Sequence, residues 1–315
     1  MPNNLIAAVD MGTNSFHLII AKIKKDGSFK IVDKEREVIR LGSHKGENLS
    51  VISPEEIETS TEVLSRFKNL SDFYGAKMRA VATSAVREAE NKNEYIDLIY
   101  RKTGIKVEVI EGHHEAELIY LGAKKALPIS DKKVLCIDIG GGSTEFILGD
   151  KGNPVLAESV KIGAVRLSKK FFPDFILNAQ SIAGCEKYIE EIIESNGSLK
   201  LKPEVDFAVG SSGTVQSAAY MIYFAKYFNE PESLNGFTFS YDEFEMIYND
   251  VMRKQTPAER LKIKGMEAKR ADIIPAGLLI LKTIFNLFNI QKMTVSEYAL
   301  REGIILEMIA KDVHA

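Results

Sequence analysis

The most constraining feature of this sequence is a pattern that occurs twice. One short apolar run ends in Asp10 and turns through Gly12, and a second ends in Asp138 and turns through Gly140. In both places β-branched and aromatic residues follow the turn, and helical periodicity comes after them. This self-similarity indicates a duplicated unit of strand, Asp-x-Gly turn, strand, strand and helices. A chain of 315 residues also exceeds what one hydrophobic core usually supports, which favours two domains with a cleft between them.

The first half of the chain reads as three strands followed by alternating helices and strands. Apolar, β-branched and aromatic residues predict strands over 5–10, 15–23 and 29–38. Ser53, Pro54 and Glu56 are typical of a capped helix start, and this helix is expected to end at Gly75. The remaining elements are predicted as a strand over 78–82, a helix over 88–103, a strand over 107–110 and a helix over 114–127.

The second half repeats this order and adds further helices. Strands are predicted over 134–139, 145–148, 155–161, 207–209 and 293–295. Helices are predicted over 179–195, 214–228, 241–253, 268–288 and 299–310. The predicted fold class is therefore α/β, with two domains that each contain a mixed sheet flanked by helices. The domains should cover residues 1–123 and 124–298, and the last helix, about 299–312, should pack back on the first domain.

Composition and charge exclude several classes of protein. A formal net charge of -3 and a pI near 6.1 argue against binding of nucleic acid through a general basic surface. No apolar run approaches the roughly 20 residues of a membrane helix, and the N-terminus lacks the basic stretch of a signal peptide. Cys136 and Cys185 form neither a disulfide framework nor a metal-ligand spacing. We therefore expect a cytoplasmic protein with no membrane or nucleic-acid partner.

Because the chain carries a net negative charge, a polyanionic ligand would have to bind where basic side chains are clustered locally. The basic residues that are clustered enough to serve are Lys22, Lys24, Lys25, Arg36, Arg40, Lys169, Lys170, Lys262, Lys264, Lys269 and Arg270. For each of them the alternative is a solvated surface charge.

The two Asp-x-Gly turns are candidate phosphate-binding sites. Small residues at a strand end let backbone N–H groups approach a phosphate, and hydroxyl groups add donors. The candidate phosphate-binding residues are Gly12, Thr13, Asn14, Ser15, Gly141, Gly142, Ser143 and Thr144. Because a carboxylate repels phosphate, Asp10 and Asp138 require a divalent cation or a water molecule between them and the phosphate. Either turn alone is better read as an ordinary hairpin, but the equivalent placement of both turns favours phosphate binding.

A third glycine turn, Gly210-Ser-Ser-Gly213, follows a predicted strand and opens a predicted helix. Gly210, Ser212 and Gly213 are candidates because this arrangement aims free N–H groups and the positive helix end at an anion. The alternative is a close strand-to-helix turn with only a structural role.

Glu115 and Arg87 are the candidate proton acceptor and phosphate clamp. Glu115 follows a glycine at a helix start, where its carboxylate could accept a proton from an attacking water. From spacing alone, however, Glu111, Glu115 and Glu117 all read as solvent-exposed acids. Arg87 follows a strand end of small residues, where it could clamp a phosphate bidentately or pair with Glu88. No Ser-His-Asp or Cys-His set is recognisable, so water is the better candidate nucleophile.

These motifs together resemble those of the exopolyphosphatase and guanosine pentaphosphate phosphohydrolase family. The matching stretches are Asp10-Met-Gly-Thr-Asn-Ser15, Ala82-Thr-Ser-Ala-Val-Arg-Glu88, Gly112-His-His-Glu-Ala116, Asp138-Ile-Gly-Gly-Gly-Ser-Thr-Glu145, Gly163-Ala-Val-Arg166, Gly210-Ser-Ser-Gly-Thr214 and Ser296-Glu-Tyr-Ala-Leu-Arg-Glu-Gly303. They occur in the order of the family and span nearly the whole chain.

The resemblance implies a fold, a reaction and ligands. The fold is the two-domain actin, Hsp70 and sugar-kinase superfold, in which each domain is RNase H-like. The reaction is Mg2+-dependent hydrolysis of the terminal phosphate of inorganic polyphosphate, or of pppGpp to ppGpp as in the stringent response. Polyphosphate and guanosine penta- or tetraphosphate are therefore the expected partners, and a homodimer is an accompanying expectation.

The resemblance also implies roles for individual residues. Glu115 maps onto the water-activating base, and Arg87 and the glycine turns map onto phosphate-binding positions. Glu145 maps onto a second acidic residue near the metal or the water, which makes Asp10, Asp138 and Glu145 the expected metal ligands. The chain departs from the family at residue 114, where His replaces the first Glu of a pair, and this puts an auxiliary role for that position in doubt.

The hypothesis is in-line attack by water on a terminal phosphorus. Glu115 would take the proton of the water, while both turns, Mg2+ and Arg87 would stabilise charge on the phosphoryl oxygens. One alternative is an acceptor-dependent kinase of the same superfold. Another is a nucleotide-binding switch or filament protein similar to Hsp70 or actin. The motif around Glu115 favours the hydrolase.

Overall fold

The structure, a computed structural model, describes residues 4–42, 51–201 and 204–313. The chain folds into two compact units. Unit 1 comprises Met1–Gly122 together with Leu300–Ala315, and unit 2 comprises Ala123–Ala299. No helix of the described part is long and apolar enough to cross a membrane.

Strands and helices alternate along the described residues. The strands are β1 Leu5–Met11, β2 Ser15–Ile23, β3 Phe29–Val38, β4 Lys77–Ala82, β5 Val107–Val109, β6 Val134–Ile139, β7 Thr144–Asp150, β8 Asn153–Val160, β9 Phe207–Ser211, β10 Thr238–Ser240 and β11 Lys292–Val295. The α-helices are α1 Pro54–Tyr74, α2 Ser84–Glu88, α3 Lys92–Thr103, α4 Gly112–Ala126, α5 Ala164–Phe171, α6 Ala179–Ser195, α7 Ser212–Tyr227, α8 Tyr241–Met252, α9 Pro257–Arg260, α10 Ile274–Leu287 and α11 Leu300–Val313. Short 3-10 turns cover Leu199–Leu201 and Ala268–Arg270.

The sheet of unit 1 has the strand order β3-β2-β1-β4-β5. β1, β2 and β3 pair antiparallel, whereas β1, β4 and β5 pair parallel. The core contains Val9 of β1 and Phe16 of β2, packed with Leu64 and Phe67 of α1 and Ile99 of α3. Both mixed pairing and helical flanks agree with the predicted α/β class.

The sheet of unit 2 repeats this arrangement. Its order is β10-β11-β9-β6-β7-β8, so β6, β7, β8, β9 and β11 correspond to β1 to β5, and β10 adds an antiparallel edge strand. The core includes Ile137, Phe146, Leu279 and Phe285. The duplicated, RNase H-like mixed sheet predicted from the sequence is therefore confirmed.

The start and end of α1 show how local sequence determines an element. Ser53 accepts a hydrogen bond from the Glu56 N–H, and the Glu56 side chain accepts one from the Ser53 N–H. Gly75 ends the helix in the left-handed conformation, with φ 63°. Only glycine adopts that conformation without steric cost, which explains why the helix ends at this residue. The predicted end of the helix is confirmed.

Two helix predictions were wrong in their bounds. The expected helix over 88–103 begins only at Lys92, because the chain becomes extended at Ala89 and the amide of Asn91 bonds both backbone groups of Ile52. The expected helix over 268–288 begins only at Ile274, after the 3-10 turn. Helices α2, α5 and α9 and strand β10 were not predicted. Contacts distant in sequence explain the break before α3 and the start of α5, whereas α9 is specified locally by the capping box of Thr256 and Glu259.

Helix α11 belongs to unit 1 and packs against β1 and β2. Its Gly303 lies directly on the backbone of α4, where an added Cβ would overlap the Leu118 carbonyl group. The glycine therefore permits close contact between α11 and the helix that carries Glu115.

Both cysteines lie in the interior of unit 2. Cys136 is in β6 and Cys185 is in α6, and neither forms a disulfide. Burial raises the pKa of both thiols to about 12. This agrees with the expectation that Cys136 is inert.

Candidate active site

The turn between β1 and β2 in unit 1 is held by two neighbouring segments. Thr13 Oγ1 lies 2.8 Å from the Ser84 hydroxyl oxygen at the start of α2, and both side chains are buried. The Asn14 carbonyl accepts hydrogen bonds from the N–H groups of Ile39 and Arg40 at 3.1 and 3.0 Å. These contacts join the turn to α2 and to the end of β3.

The backbone N–H groups of Thr13 and Asn14 have no hydrogen-bond acceptor among the described residues. Gly12 precedes them, and a Cβ there would stand 3.1 Å from the Ser15 carbonyl oxygen. The Asn14 side-chain amide is buried and likewise finds no partner in the described part of the chain. This turn therefore presents both backbone N–H groups and the Asn14 amide without a partner among the described residues.

Arg87 and Glu115 form a buried ion pair in unit 1. Arg87 Nη1 donates to Glu115 Oε2 at 2.9 Å and to the Ile110 carbonyl at 2.8 Å. The exposed fraction of the side chain is 14% for Arg87 and 8% for Glu115. Arg87 lies in α2, directly after β4, and Glu115 lies in the first turn of α4. The structure thus brings the two predicted residues together.

The reading of Glu115 as a solvent-exposed helix-start acid is wrong. Of the three acids considered, Glu111 and Glu117 are exposed and Glu115 is buried. Burial follows from the position of α2, because Arg87 reaches from that helix to the Glu115 carboxylate. The alternative of an Arg87 pair with Glu88 is replaced by this longer-range pair.

A polar row crosses the sheet of unit 1 at the end of β1. Asp10 lies opposite His17 on β2, and His17 lies opposite Arg36 on β3. His17 Nε2 lies 2.9 Å from Ser15 Oγ, and Arg301 Nη1 donates to His17 Nδ1 at 3.3 Å. Ser15 is thereby connected through His17 to α11. Within this row the Asp10 carboxylate thus stands beside two basic side chains, His17 and Arg36.

The equivalent row in unit 2 is acidic. Asp138 on β6 lies opposite Glu145 on β7, with Ser211 and Ser159 at the two flanks of the row. Ser211 Oγ donates to Asp138 Oδ2 at 2.6 Å, and Ser159 Oγ donates to Glu145 Oε1 at 2.7 Å. The exposed fractions are 6% for Asp138 and 1% for Glu145. Directly opposed carboxylates repel each other, and a bound cation would relieve that repulsion.

The donor set of Asp138 and Glu145 fits Mg2+. This ion prefers oxygen ligands and is usually held by one or two carboxylates together with waters and substrate phosphates. Within the described ranges no three His, Cys, Asp or Glu side chains cluster as a complete protein ligand set. Asp10 has no carboxylate opposite it and stands beside His17 instead. Of the three predicted metal ligands, two are therefore neighbours and the third lies in the other unit.

The glycine turn between β6 and β7 is shaped by the first turn of α5. The N–H groups of Ala164, Val165 and Arg166 donate to carbonyl oxygens of Gly140 and Gly141 at 2.9 to 3.0 Å. Arg166 Nε donates to the Gly142 carbonyl at 2.7 Å. The N–H groups of the predicted phosphate-binding residues Gly141, Gly142 and Ser143 have no acceptor among the described residues. The Thr144 hydroxyl is occupied within the protein, because it donates to the Ile162 carbonyl.

The third glycine turn carries a basic residue that sequence reasoning did not place there. Gly210 lies within β9, where a Cβ would stand 2.5 Å from Met293 Sδ, so close packing requires glycine. Ser212 has a left-handed backbone with φ 67°. A Cβ on Gly213 would overlap the guanidinium of Arg270. Arg270 therefore lies against the start of α7.

Most of the remaining clustered basic residues lie on the surface. Exposed side chains in this group are Lys22, Lys24, Lys25, Lys170, Lys262, Lys264 and Lys269. His113 is exposed too, whereas His114 Nε2 lies 2.9 Å from Glu307 Oε1 on α11. His114 thus bonds α11 and takes no part in the contact between Arg87 and Glu115.

Several groups at the site had no role in the sequence-based hypothesis. They are Ser84, Ser159, Arg166, Ser211 and Arg301, each hydrogen-bonded to a predicted residue or its neighbour, while Arg270 had been considered only as one of the clustered basic residues. All but Ser159 and Arg270 stand inside the motifs quoted for the family resemblance. Their position within these motifs was the signal that the sequence offered. Their contacts depend on strand register and helix packing, which sequence patterns do not reveal.

Relatives of known sequence cover nearly the whole chain. A putative exopolyphosphatase of Haemophilus influenzae is 33% identical over 96% of this chain and 91% of its own length. A guanosine-5'-triphosphate,3'-diphosphate pyrophosphatase of Photobacterium profundum is 33% identical over 98% of this chain. This chain spans 60% of the length of that second relative.

Solved structures show the same architecture. An exopolyphosphatase from Cytophaga hutchinsonii has a TM-score of 0.89 and 30% identity, with 98% of each chain covered. A family member from Aquifex aeolicus has a TM-score of 0.81 and 28% identity, with 99% of each chain covered. The model of the Ppx/GppA phosphatase family matches residues 19–312, which include Arg87, Glu115, the acidic row and the glycine turn of unit 2. With sequence and architecture in agreement over nearly its full length, the chain belongs to the Ppx/GppA phosphatase family.

Proposed function

We propose that this protein hydrolyses the terminal phosphate of a phosphoanhydride chain, either inorganic polyphosphate or pppGpp. Relatives named for each of these two activities match nearly the whole chain. The observation that carries the proposal is the buried pair of Arg87 and Glu115 in the unit whose β1–β2 turn presents unpaired N–H groups. A carboxylate held in one orientation near an anion-binding turn is suited to proton abstraction from water.

Glu115 is the proposed general base. Its Oε2 accepts the hydrogen bond from Arg87, and Arg87 is itself anchored on the Ile110 carbonyl. This double contact restricts rotation of the carboxylate, so the approach of a water to Glu115 has a defined direction. The proton of the attacking water passes to Glu115 as the bond from water oxygen to phosphorus forms and the bridging P–O bond breaks.

Arg87 and the turns supply the proposed phosphate contacts. Nε and Nη2 of Arg87 have no hydrogen-bond partner among the described residues, so they can donate to a phosphoryl oxygen. The N–H groups of Thr13, Asn14, Gly141, Gly142 and Ser143 are proposed to do the same. Fixed donors of this kind stabilise charge that develops on phosphoryl oxygens without reorganisation.

Asp138 and Glu145 are the proposed holders of Mg2+, and Asp10 at the other turn remains a proposed further ligand. When bound, the ion would neutralise charge on phosphoryl oxygens. Ser211 and Ser159 keep the carboxylates of Asp138 and Glu145 in place through the hydrogen bonds described above.

A glutamine substitution at Glu115 tests the proposed base. Glu115→Gln keeps the size of the side chain and a hydrogen-bond acceptor for Arg87, but removes the proton acceptor. We expect turnover to fall about 10²- to 10⁴-fold while binding of polyphosphate persists. Glu117→Gln, on the exposed face of the same helix, is the matched control. Nearly normal phosphate release from Glu115→Gln would remove Glu115 from this role.

Initial rates with two substrates test the reaction. The protein is incubated with Mg2+ and either polyphosphate or pppGpp, and released inorganic phosphate is measured without any acceptor. Acceptor-independent release supports hydrolysis, and the ratio of the rates identifies the preferred substrate. If ADP appears from ATP only when an acceptor is present, a kinase replaces the proposed hydrolase. Tight nucleotide binding with negligible turnover indicates a nucleotide switch.

We also propose the cytoplasm as the compartment. Two buried cysteines that remain thiols are compatible with a reducing environment. Fractionation of cells that express the chain at its natural level, with detection in the soluble cytoplasmic fraction, is the direct measurement.

A further inference from the structure

The first turn of α5 uses its hydrogen-bond donors on the glycine turn. Helix N-termini commonly direct free N–H groups at an anion, since the first four lack partners within the helix. Here the Ala164 N–H instead bonds the Gly140 carbonyl, and the Val165 and Arg166 N–H groups bond the Gly141 carbonyl. The carbonyl of Gly142 is bonded by the side chain of Arg166 at 2.7 Å. Three consecutive carbonyls of the turn thus face α5.

The geometry of the peptide group determines where the N–H groups of the glycine turn point. The carbonyl of one residue and the N–H of the next share a planar trans peptide and point in opposite directions. Carbonyls of Gly140, Gly141 and Gly142 that point at α5 therefore direct the N–H groups of Gly141, Gly142 and Ser143 away from it. Those are the three groups of the turn that have no acceptor among the described residues.

Close approach of α5 depends on Gly163. A Cβ at this residue would stand 2.5 Å from the Gly141 carbonyl group and 2.6 Å from the Gly142 carbonyl carbon. Both distances are too short for any side chain, so the backbone of 163 lies directly on the turn. The hydrogen bonds from residues 164–166 follow from that contact.

Only one of the four hydrogen bonds depends on side-chain identity. The three backbone donors would be supplied by any residues in the same helix, but the bond to Gly142 comes from Arg166 Nε. That bond holds the peptide whose N–H belongs to Ser143. The orientation of a single donor therefore depends on a single side chain.

We infer that Arg166 is a positioning residue for the phosphate-binding turn, which it serves by holding the Gly142–Ser143 peptide through Nε rather than by touching phosphate with its charge. The inference rests on the proposed function only in assigning phosphate to the turn. Positioning of the peptide itself is a property of the free protein.

Two substitutions separate the hydrogen bond from the charge. In Arg166→Gln the side-chain nitrogen stands at the same bonded distance from Cα as Arg Nε, so the donor is kept and the charge is lost. In Arg166→Lys the charge is kept, but a methylene occupies the position of Nε. Lys170→Gln, on the exposed face of the same helix, controls for loss of a positive charge.

Binding of tripolyphosphate is measured by calorimetry in the presence of Mg2+. We expect Arg166→Gln and Lys170→Gln to bind within about twofold of the unchanged protein, and Arg166→Lys to bind about 3- to 10-fold more weakly, the loss of one hydrogen bond. If the lysine variant binds normally and the glutamine variant binds weakly, the charge of Arg166 contacts the anion and the inference is overturned. Equal binding by all variants overturns it too.

The amide resonances of the free protein provide a readout that needs no phosphate. In Arg166→Lys we expect the Ser143 amide signal to move and its hydrogen exchange to change, while those of Gly141 and Gly142 remain, because helix backbone still holds their peptides. In Arg166→Gln all three should remain. An unmoved Ser143 signal in the lysine variant contradicts the inference even if the protein proves to hydrolyse polyphosphate. Failure of the hydrolase assay with the expected Ser143 shift leaves the positioning role intact and rejects only the proposed function.

Discussion

Equivalent positions of the two duplicated hairpins carry His17 in unit 1 and Glu145 in unit 2. Each lies opposite the aspartate that ends the preceding strand. His17 accepts a hydrogen bond from Arg301, whereas Glu145 accepts one from Ser159. The basic row suits an anion and the acidic row suits a cation, so one duplicated backbone presents two chemically different surfaces.

The charge of Glu145 is predicted to determine the requirement for Mg2+. Glu145→Gln keeps an acceptor for Ser159 and removes one of two neighbouring carboxylates. We expect the Mg2+ concentration for half-maximal phosphate release to rise at least tenfold, since even partners outside the coordination sphere contribute about that much.

Glu158→Gln is the control for this prediction. Glu158 precedes Ser159 in β8, so its side chain lies on the opposite face of the sheet. An unchanged Mg2+ dependence of Glu145→Gln would show that the acidic row does not hold the metal.

At the scale of elements, glycine contacts determine how close helices come to the groups they position. Gly163 places α5 on the glycine turn, and Gly303 places α11 on α4. The backbone of Gly163 is extended, with φ -151° and ψ 157°, a conformation open to any residue. Its constraint is therefore steric rather than conformational.

Alanine at position 163 is predicted to destabilise the protein. The added Cβ meets backbone atoms of the turn, which cannot move aside as a flexible side chain can. We expect the free energy of unfolding, measured with denaturant, to fall by about 1–3 kcal/mol, typical of overpacking. Binding of tripolyphosphate should weaken in parallel.

Gly184→Ala is the matched control for this substitution. Gly184 lies inside α6, where a Cβ would stand 3.8 Å from the Phe171 ring, an ordinary contact. Replacing a helical glycine should raise the free energy of unfolding by about 0.5–1 kcal/mol. A stabilising effect at both positions would contradict the steric account of Gly163.

At the scale of the whole molecule, a cluster of charged side chains links the last helix to β4 and α4 of unit 1. Glu307 of α11 accepts hydrogen bonds from Arg79 of β4 and from Lys311, and it contacts His114 of α4. Burial alone would raise the pKa of Glu307, but the hydrogen bonds from Lys311 and Arg79 outweigh it and lower the pKa from 4.5 to about 2. The cluster therefore depends on ionised Glu307.

Acid is predicted to remove the contribution of Glu307. A carboxyl whose pKa is lower in the folded state stabilises that state above its unfolded pKa, and the stabilisation disappears as the pH falls through the folded value. The contribution should be on the order of 1 kcal/mol near pH 7, because solvent screens this partly exposed cluster, and it should decline as the pH falls from 4.5 to about 2. Denaturant unfolding of the unchanged protein and of Glu307→Gln over this range measures it. A difference in stability that does not depend on pH would contradict this assignment.

Local patterns predicted much of the architecture because their causes are local. The bounds of β2, β3 and β6 agree with the predicted 15–23, 29–38 and 134–139, since apolar runs and turns specify them. The boundary between α2 and α3 was missed because Asn91 bonds Ile52, 39 residues away in the chain. Helix α5 was missed because its start is set by the glycine turn rather than by a capping side chain.

Patterns along the chain were sufficient to predict the duplicated α/β unit, the glycine turns and the residues that could meet a phosphate, because strand patterns and turn chemistry depend on sequence neighbours. Which of those residues come together depends on how the elements pack. Glu115 is buried by Arg87 from another helix, Glu145 meets Asp138 through strand register, and Arg166 holds a turn more than 20 residues before it. Spacing along the chain cannot distinguish Glu115 from Glu111 or Glu117, since burial and pairing depend on elements that meet only when the chain has folded.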